Sequence, residues 1–356
     1  MNPIFLVLLI GVFAYAVYFF NEKMKKENPT KNKVEPQTDV ETDDNTDVET
    51  SPKPDPKMDD SKNTSTKPAP ITISSFANRK GYDSGFIKTD NFKIRLEDLL
   101  KNHLEDLPPL KVSTGKTPDL LRYHHFSIAM HRERKMPFLT AVNIDGKQTK
   151  DLNRESDSWH FDPRLDKQYQ LGKEIYTQND LDLGHLVRRL DPVWGENYLE
   201  ANNDTFHLTV CAPQHKKLNR LTWLGLEDFI LKNTDNEDLK VSVFSGPVFS
   251  ERDLDYRDIK VPLQFWKMAA LIKNDGIPSV SAYLLSHEEY LGDLDRGLIG
   301  DTGFGAYKTF QISLEKLQEL TNLNLDALLK YDPIHKERGL ISSKPMEIKG
   351  FGDIKL

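Results

Sequence analysis

Cysteine is almost missing from this chain. Cys211 is the only one in 356 residues, so no disulfide can close within a single chain. A closed zinc site is excluded as well, because no Cys/His spacing of the zinc type occurs. There is no glycine-rich P-loop, which removes one class of nucleotide-binding reading. Aromatic residues are absent from Asn21 to Ser75. A segment without them cannot bury enough apolar area to offset the entropy of ordering, so residues 23–75 read as a disordered acidic linker. An excess of positive charge is also lacking, since the formal net charge is −7. It is unevenly spread: +2 over residues 1–26, −5 over 27–75 and −4 over the rest. A broadly basic surface is thereby excluded, and any attraction for an anionic partner must be local.

The chain divides into three parts. Ile4 to Phe20 is an apolar run with no charge. As a helix it would be about 26 Å long, the short end of what spans a bilayer. Tyr15, Tyr18, Phe19 and Phe20 gather at its far end, and Lys23, Lys25 and Lys26 follow. Residues 1–22 therefore read as a transmembrane anchor. A signal peptide is the rival reading, because Ala14-Tyr15-Ala16 has the small-x-small form of a cleavage site. The linker contains TDVET twice, at 38–42 and 46–50. As a coil its ~55 residues would span roughly 40 Å. Residues 76–356 form the remaining domain, with its core at about 110–330.

Within that domain the patterning is mixed. Phe92–Leu110 looks like a helix stopped by Pro108-Pro109. Tyr123–Met130 and Phe138–Ile144 alternate as antiparallel strands, joined by the charged run His131–Lys135. The apolar stretch Phe206–Cys211 is a further strand pattern, as are Leu239–Phe249, Leu263–Lys273, Pro278–Ser286 and Tyr307–Ser313. A helix is expected at Leu314–Thr321, and residues after Tyr331 read as peripheral. Sequential strands with helices inserted between them imply an α+β domain around a mainly antiparallel sheet.

The chemistry concentrates between Asp182 and Glu227. His185 follows Gly184, on chain that glycine lets bend sharply. Arg188 and Arg189 come one helical turn later. Lys216, Lys217 and Arg220 complete a local basic cluster. Asn219 opens a run of leucines at helical spacing, with Glu227 eight residues on. On a helix that is about 12 Å along the axis and about 80° round it, so both polar side chains share one broad face. A neutral histidine can take a proton from water near pH 7. An amide oxygen and a carboxylate, helped by water, suit a hard cation, and guanidinium forks bind phosphate oxygens. Together they suit phosphodiester hydrolysis.

These residues resemble the DNA/RNA non-specific endonuclease family of the ββα-metal superfamily, to which endonuclease G is related. The family signature is D-R-G-H, then a strand ending in Pro-Gln, then L-N-x-x-x-W-x-x-L-E. Here it reads Asp182-Leu183-Gly184-His185, Pro213-Gln214, and Leu218-Asn219 through Trp223 to Leu226-Glu227. Pro137-Phe138 with Thr140–Asp145, and Ser245–Phe249, match flanking strands. The resemblance implies a ββα-metal nuclease fold. It implies that His185 is the general base and that Asn219 binds Mg²⁺ or Mn²⁺ directly, with Glu227 acting through water. DNA and RNA are the implied partners. Arg188 is the candidate catalytic guanidinium, and Arg189, Lys217 and Arg220 are the candidate substrate contacts. Lys23, Lys25 and Lys26 would by the positive-inside rule put the domain in the cytoplasm, whereas relatives are typically exported; the extracytoplasmic side is favoured. The sequence departs from the family at Leu183, where the signature has arginine, and at Val210, where many members have asparagine. Near Trp159 the family tends to place a catalytic arginine, but Asp157 and Ser158 stand there. The alternative reading is a weakened nuclease-like module that binds nucleic acid or a protein.

Overall fold

A computed structural model describes residues 70–87, 92–113, 115, 118–153, 158–216, 239–287, 309–334 and 345–348. All lie within one compact unit, Pro68–Leu356. The apolar run at 4–20 and the linker at 23–75 fall almost wholly outside these residues. Among the described residues, no helix is long and apolar enough to cross a membrane.

The described strands are, in chain order, β1 (Leu121–Arg122), β2 (Phe126–Met130), β3 (Pro137–Asp145), β4 (Leu181–His185), β5 (Cys211–His215), β6 (Lys240–Val248), β7 (Leu254–Tyr256), β8 (Ile259–Val261), β9 (Gln264–Ile272), β10 (Pro278–Ser286), β11 (Thr309–Ile312) and β12 (Met346–Glu347). The described α-helices are α1 (Leu96–Leu99), α2 (Tyr198–Asp204) and α3 (Leu314–Thr321). Eight strands make one sheet in the order β1-β2-β3-β6-β9-β10-β11-β12, antiparallel at every junction. β4 and β5 form a separate two-stranded ladder, and so do β7 and β8. This is the α+β arrangement around an antiparallel sheet that the pattern implies.

The central strands are buried along nearly their whole length, because both faces of the sheet are covered. On one face Trp266, Met268 and Leu284 pack with Leu99, Leu100, Leu314 and Leu317. On the other, Phe265, Ala269 and Tyr283 pack with Leu186, Val187, Val210 and Ala212, which flank or belong to the β4–β5 ladder. That ladder is thus a second layer laid on the sheet, and its inward face is fixed by apolar burial.

Strand and helix expectations hold at β10 and α3, whose bounds are as the pattern implies. α3 begins where the Ser313 hydroxyl accepts the Lys316 N–H at 3.1 Å and ends at Asn322, which takes the left-handed conformation. Three expectations need correction. Residues 92–110 do not make one helix: α1 is a single turn followed by a 3-10 turn at Leu104–Asp106. The carbonyls of Asp98 and Leu99 instead accept hydrogen bonds from the Asn324 side chain and backbone at 3.1 and 3.0 Å. Helix propagation loses to a contact made by chain more than two hundred residues away. Phe206–Cys211 is likewise no strand. Leu208–Val210 is a 3-10 turn, and the strand begins at Cys211. The chain beyond Tyr331 is not wholly peripheral. Ile334 is buried, the Asp332 carboxylate accepts the Leu314 N–H at 2.8 Å, and β12 extends the sheet edge.

Candidate active site

β4 and β5 run antiparallel with Leu181 opposite His215, Gly184 opposite Ala212 and His185 opposite Cys211. The pairing continues past the strand end, where the Leu186 N–H donates to the Val210 carbonyl at 3.0 Å. Two contacts close the other end. The Lys216 N–H donates to the Asp180 carbonyl at 2.8 Å, and the Lys216 ammonium meets the Asp180 carboxylate at 2.5 Å. One member of the expected basic cluster is thereby engaged by an acid. The His215 N–H donates to Nδ1 of the fully buried His287 at 3.1 Å, which ties β5 to the chain just after β10.

Gly184 lies within β4, on extended backbone rather than at a turn. The sharp bend expected of it is not there. The structure supplies a different reason for glycine: a Cβ at position 184 would overlap the Gln214 carboxamide. Gln214 is fully buried, and among the described residues neither its amide nitrogen nor its amide oxygen finds a hydrogen-bond partner. Such a group is costly unless ordered water completes it.

Alternation along β4 puts Leu183 and His185 on the face opposite Gly184. The His185 ring lies 4.7 Å from Trp159, centroid to centroid, with 46° between the planes. It lies 5.8 Å from Phe206, edge-on at 84°. Trp159 and Phe206 pack together with Leu208, Cys211 and the half-buried Leu183. The position of the signature arginine is therefore filled by an apolar side chain in a small aromatic cluster. The sequence tied Trp159 to the site only through the resemblance, and it gave Phe206 no part in it.

His185 is not followed by a helical turn. The Leu186 N–H continues the ladder, Leu186 and Val187 are both buried, and the chain bends at these two residues. The spacing argument that put Arg188 and Arg189 on one helical face with His185 falls away. Arg188 is half-buried. Arg189 donates to the Asn202 side chain of α2 at 2.9 Å and to the Leu152 carbonyl at 3.0 Å, so part of its fork holds the fold. Lys217, Asn219, Arg220 and Glu227 lie outside the described residues. Arg164, five residues after Trp159, has a largely buried side chain paired with Asp162 and is unsuited to substrate.

A buried polar network lies behind the cluster. The Asp162 carboxylate accepts from Arg164 through Nε and Nη2 and from the Tyr123 hydroxyl at 2.5 Å. Burial alone would raise the Asp162 carboxyl, but the hydrogen bonds and charge of Arg164 outweigh it and hold it below its usual range. Tyr123 gives its proton to Asp162, so Thr209, 2.6 Å away, donates to Tyr123.

Comparison with known proteins decides the family. The model for the DNA/RNA non-specific endonucleases matches residues 106–332, which contain every part of this site. The chain belongs to that family. A Sinorhizobium fredii protein, the uncharacterized protein y4fB, is 42% identical over 263 residues, covering 70% of this chain and 39% of its own. Mitochondrial endonuclease G of Bos taurus is 26% identical over 147 residues, covering 38% of this chain and 48% of its own. The chain thus spans less than half the length of either curated relative. Among solved structures, the complex of EndoG with EndoGI gives a TM-score of 0.45 at 15% identity, covering 66% of this chain and 92% of that one.

For a family of endonucleases, the described residues of the site offer a histidine at the end of a two-stranded ladder, packed against Trp159 and Phe206. Among the described residues no group of three or more His, Cys, Asp or Glu is placed to hold a metal. The candidate donors, Asn219 and Glu227, are hard oxygen ligands that leave a cation several waters. The residues fit a divalent cation.

Proposed function

We propose that this chain is a metal-dependent endonuclease that hydrolyses phosphodiester bonds of DNA and RNA with little sequence preference. The observation that carries the reading is His185 at the end of β4, within the region matched by the family model. His185 takes a proton from the attacking water as general base. Arg188 offers a guanidinium to the phosphate, and Arg189 is a further substrate contact. Lys217 and Arg220 bind the flanking backbone. Asn219, and Glu227 through water, would hold Mg²⁺ or Mn²⁺, which supplies neutralisation of charge on the phosphoryl and leaving oxygens. Contacts of this kind are to phosphate, which carries no base information, hence the indifference to sequence. The charge-free run at 4–20 supports a membrane tether, and the export typical of relatives favours the extracytoplasmic side for the domain.

Nicking of a supercoiled plasmid, and cleavage of an RNA, with Mg²⁺ and with chelator, test the reading. Cleavage that survives exhaustive chelation overturns the metal scheme. A specific observation favours the second reading, a weakened nuclease-like module. Leu183 is built into an apolar cluster where the signature has arginine. Binding of DNA or RNA without cleavage in any divalent metal would establish it.

A further inference from the structure

We propose that Trp159 and Phe206 are positioning residues for His185, an aromatic clamp that fixes the plane of its ring. The inference rests on the nuclease reading and deepens it. The three rings form a closed triangle: Trp159–His185 4.7 Å, His185–Phe206 5.8 Å and Trp159–Phe206 5.6 Å between centroids. Both walls are 9% exposed or less, so the ring meets packed side chains, not solvent, on these two sides.

The walls come from chain segments far apart in sequence, and the backbone brings them together. The His160 N–H donates to the Phe206 carbonyl at 3.0 Å, and the Leu208 N–H donates to the His160 carbonyl at 2.8 Å. Trp159 and Phe206 are thus each adjacent to a residue of one short parallel bridge between His160 and His207. Both segments are fastened to the same buried network. Asp162, three residues past Trp159, accepts the Tyr123 hydroxyl, and Thr209, three residues past Phe206, bonds to that hydroxyl. Gln170 closes the first segment further, taking the Asp162 N–H at 2.9 Å and donating to the Asp162 carbonyl at 3.0 Å. Neither wall can move without breaking buried hydrogen bonds, which are expensive to leave unmade.

A histidine has two side-chain torsions, and the second is broad and roughly two-fold. Strand pairing sets the backbone of His185 but not that torsion. Edge-to-face and tilted ring contacts select one ring plane. A base must point a nitrogen at the water it activates, so fixing the plane serves the chemistry. Leu183 belongs to the same cluster and helps keep it dry.

Three variants of the full chain test this: Trp159→Leu, Trp159→Phe and Phe206→Leu. Each is assayed for kcat and KM on a short oligonucleotide. Each is also examined by imidazole ¹⁵N NMR, with the His185 signals assigned by their loss in His185→Ala. Trp159→Leu keeps apolar volume but loses the ring. The clamp requires its kcat to fall about 10-fold or more with KM within about twofold, since small misplacements of a catalytic group are costly. The His185 ring signals should broaden or average, and Trp159→Phe should restore most of the rate and the single ring environment. A folded Trp159→Leu protein with unchanged kcat, or with unchanged ring signals, overturns the proposal. Should that variant not fold, Phe206→Leu is judged by the same criteria. If the wild type does not cleave, or His185→Ala cleaves as well as wild type, the nuclease reading fails. The NMR arm then still decides the clamp, because ring order in the wild type and its loss in the leucine variant need no activity.

Discussion

The carboxamide of Gln214 occupies the space that a side chain at position 184 would need. The two residues are diagonal neighbours across β4 and β5: Gln214 lies two residues beyond Ala212, the partner of Gly184. Gly184→Ala should therefore destabilise the domain by about 1–3 kcal/mol through overpacking. Gln214→Ala should relieve most of that in the double variant. Thermal or urea unfolding of the four proteins checks it, and additive effects would show that the two sites are uncoupled.

Replacing His185 by alanine is expected to lower plasmid nicking by about 10²–10⁴-fold, the usual worth of a general base. The ring packs on Trp159 and Phe206, so the folded state should be confirmed by the thermal midpoint. Wild-type cleavage by the folded variant removes His185 from the mechanism.

The cation requirement should depend on Asn219. Asn219→Ala is expected to raise the Mg²⁺ concentration needed for half-maximal cleavage, with chelator abolishing the activity of both proteins. An unchanged metal titration would take Asn219 out of the ligand set.

At Leu183 the expectation is tied to Arg188. If Arg188 supplies the guanidinium, Arg188→Ala lowers kcat far more than it weakens substrate binding. Losses of transition-state arginines run to about 10³–10⁵-fold in phosphoryl transfer. Leu183→Arg should restore little, because it must be accommodated among Trp159, Phe206 and Cys211. A hundredfold acceleration by Leu183→Arg, with Arg188→Ala silent, would show a nuclease weakened at position 183.

His287 should make stability fall in mild acid. Burial pushes its imidazole down to about 4 from an ordinary 6.5, the bond to the Pro262 carbonyl opposing this. Nδ1 accepts the His215 N–H, so Nε2 carries the proton donated to Pro262 at 2.5 Å, and the ring is neutral. The unfolded chain binds a proton below about 6.5 and the folded chain only below about 4. Stability is thus full above pH 6.5 and declines as pH falls between those values, by an amount on the order of 3 kcal/mol. His125 is pushed down to about 4 as well, mainly by burial, and adds to the slope. Urea midpoints from pH 7 to pH 4.5 measure it, and His287→Gln should flatten the curve; an unchanged slope assigns the effect elsewhere.

Much of this protein could be read in its residues. Both β10 and α3 were legible because their signals are local: an apolar run of strand length, and a serine cap before a periodic stretch. The D-x-G-H and Pro-Gln motifs carried the resemblance, and the family model agrees with it. Where the reading failed, distant chain had overridden local preference. Asn324 captured the carbonyls that would have continued α1, and the ladder, carried past β4 by the Leu186 N–H on the Val210 carbonyl, keeps the chain after His185 out of a helical turn.

By itself the sequence determined the family, the order of the motifs, the chemical types at the site and the impossibility of an internal disulfide. These depend on residue identity and spacing along one chain. The tertiary structure alone decided why position 184 is glycine, which aromatic rings face His185, and what fills the place of the signature arginine. Each of those is a contact between segments many residues apart, and no local periodicity encodes which face meets which.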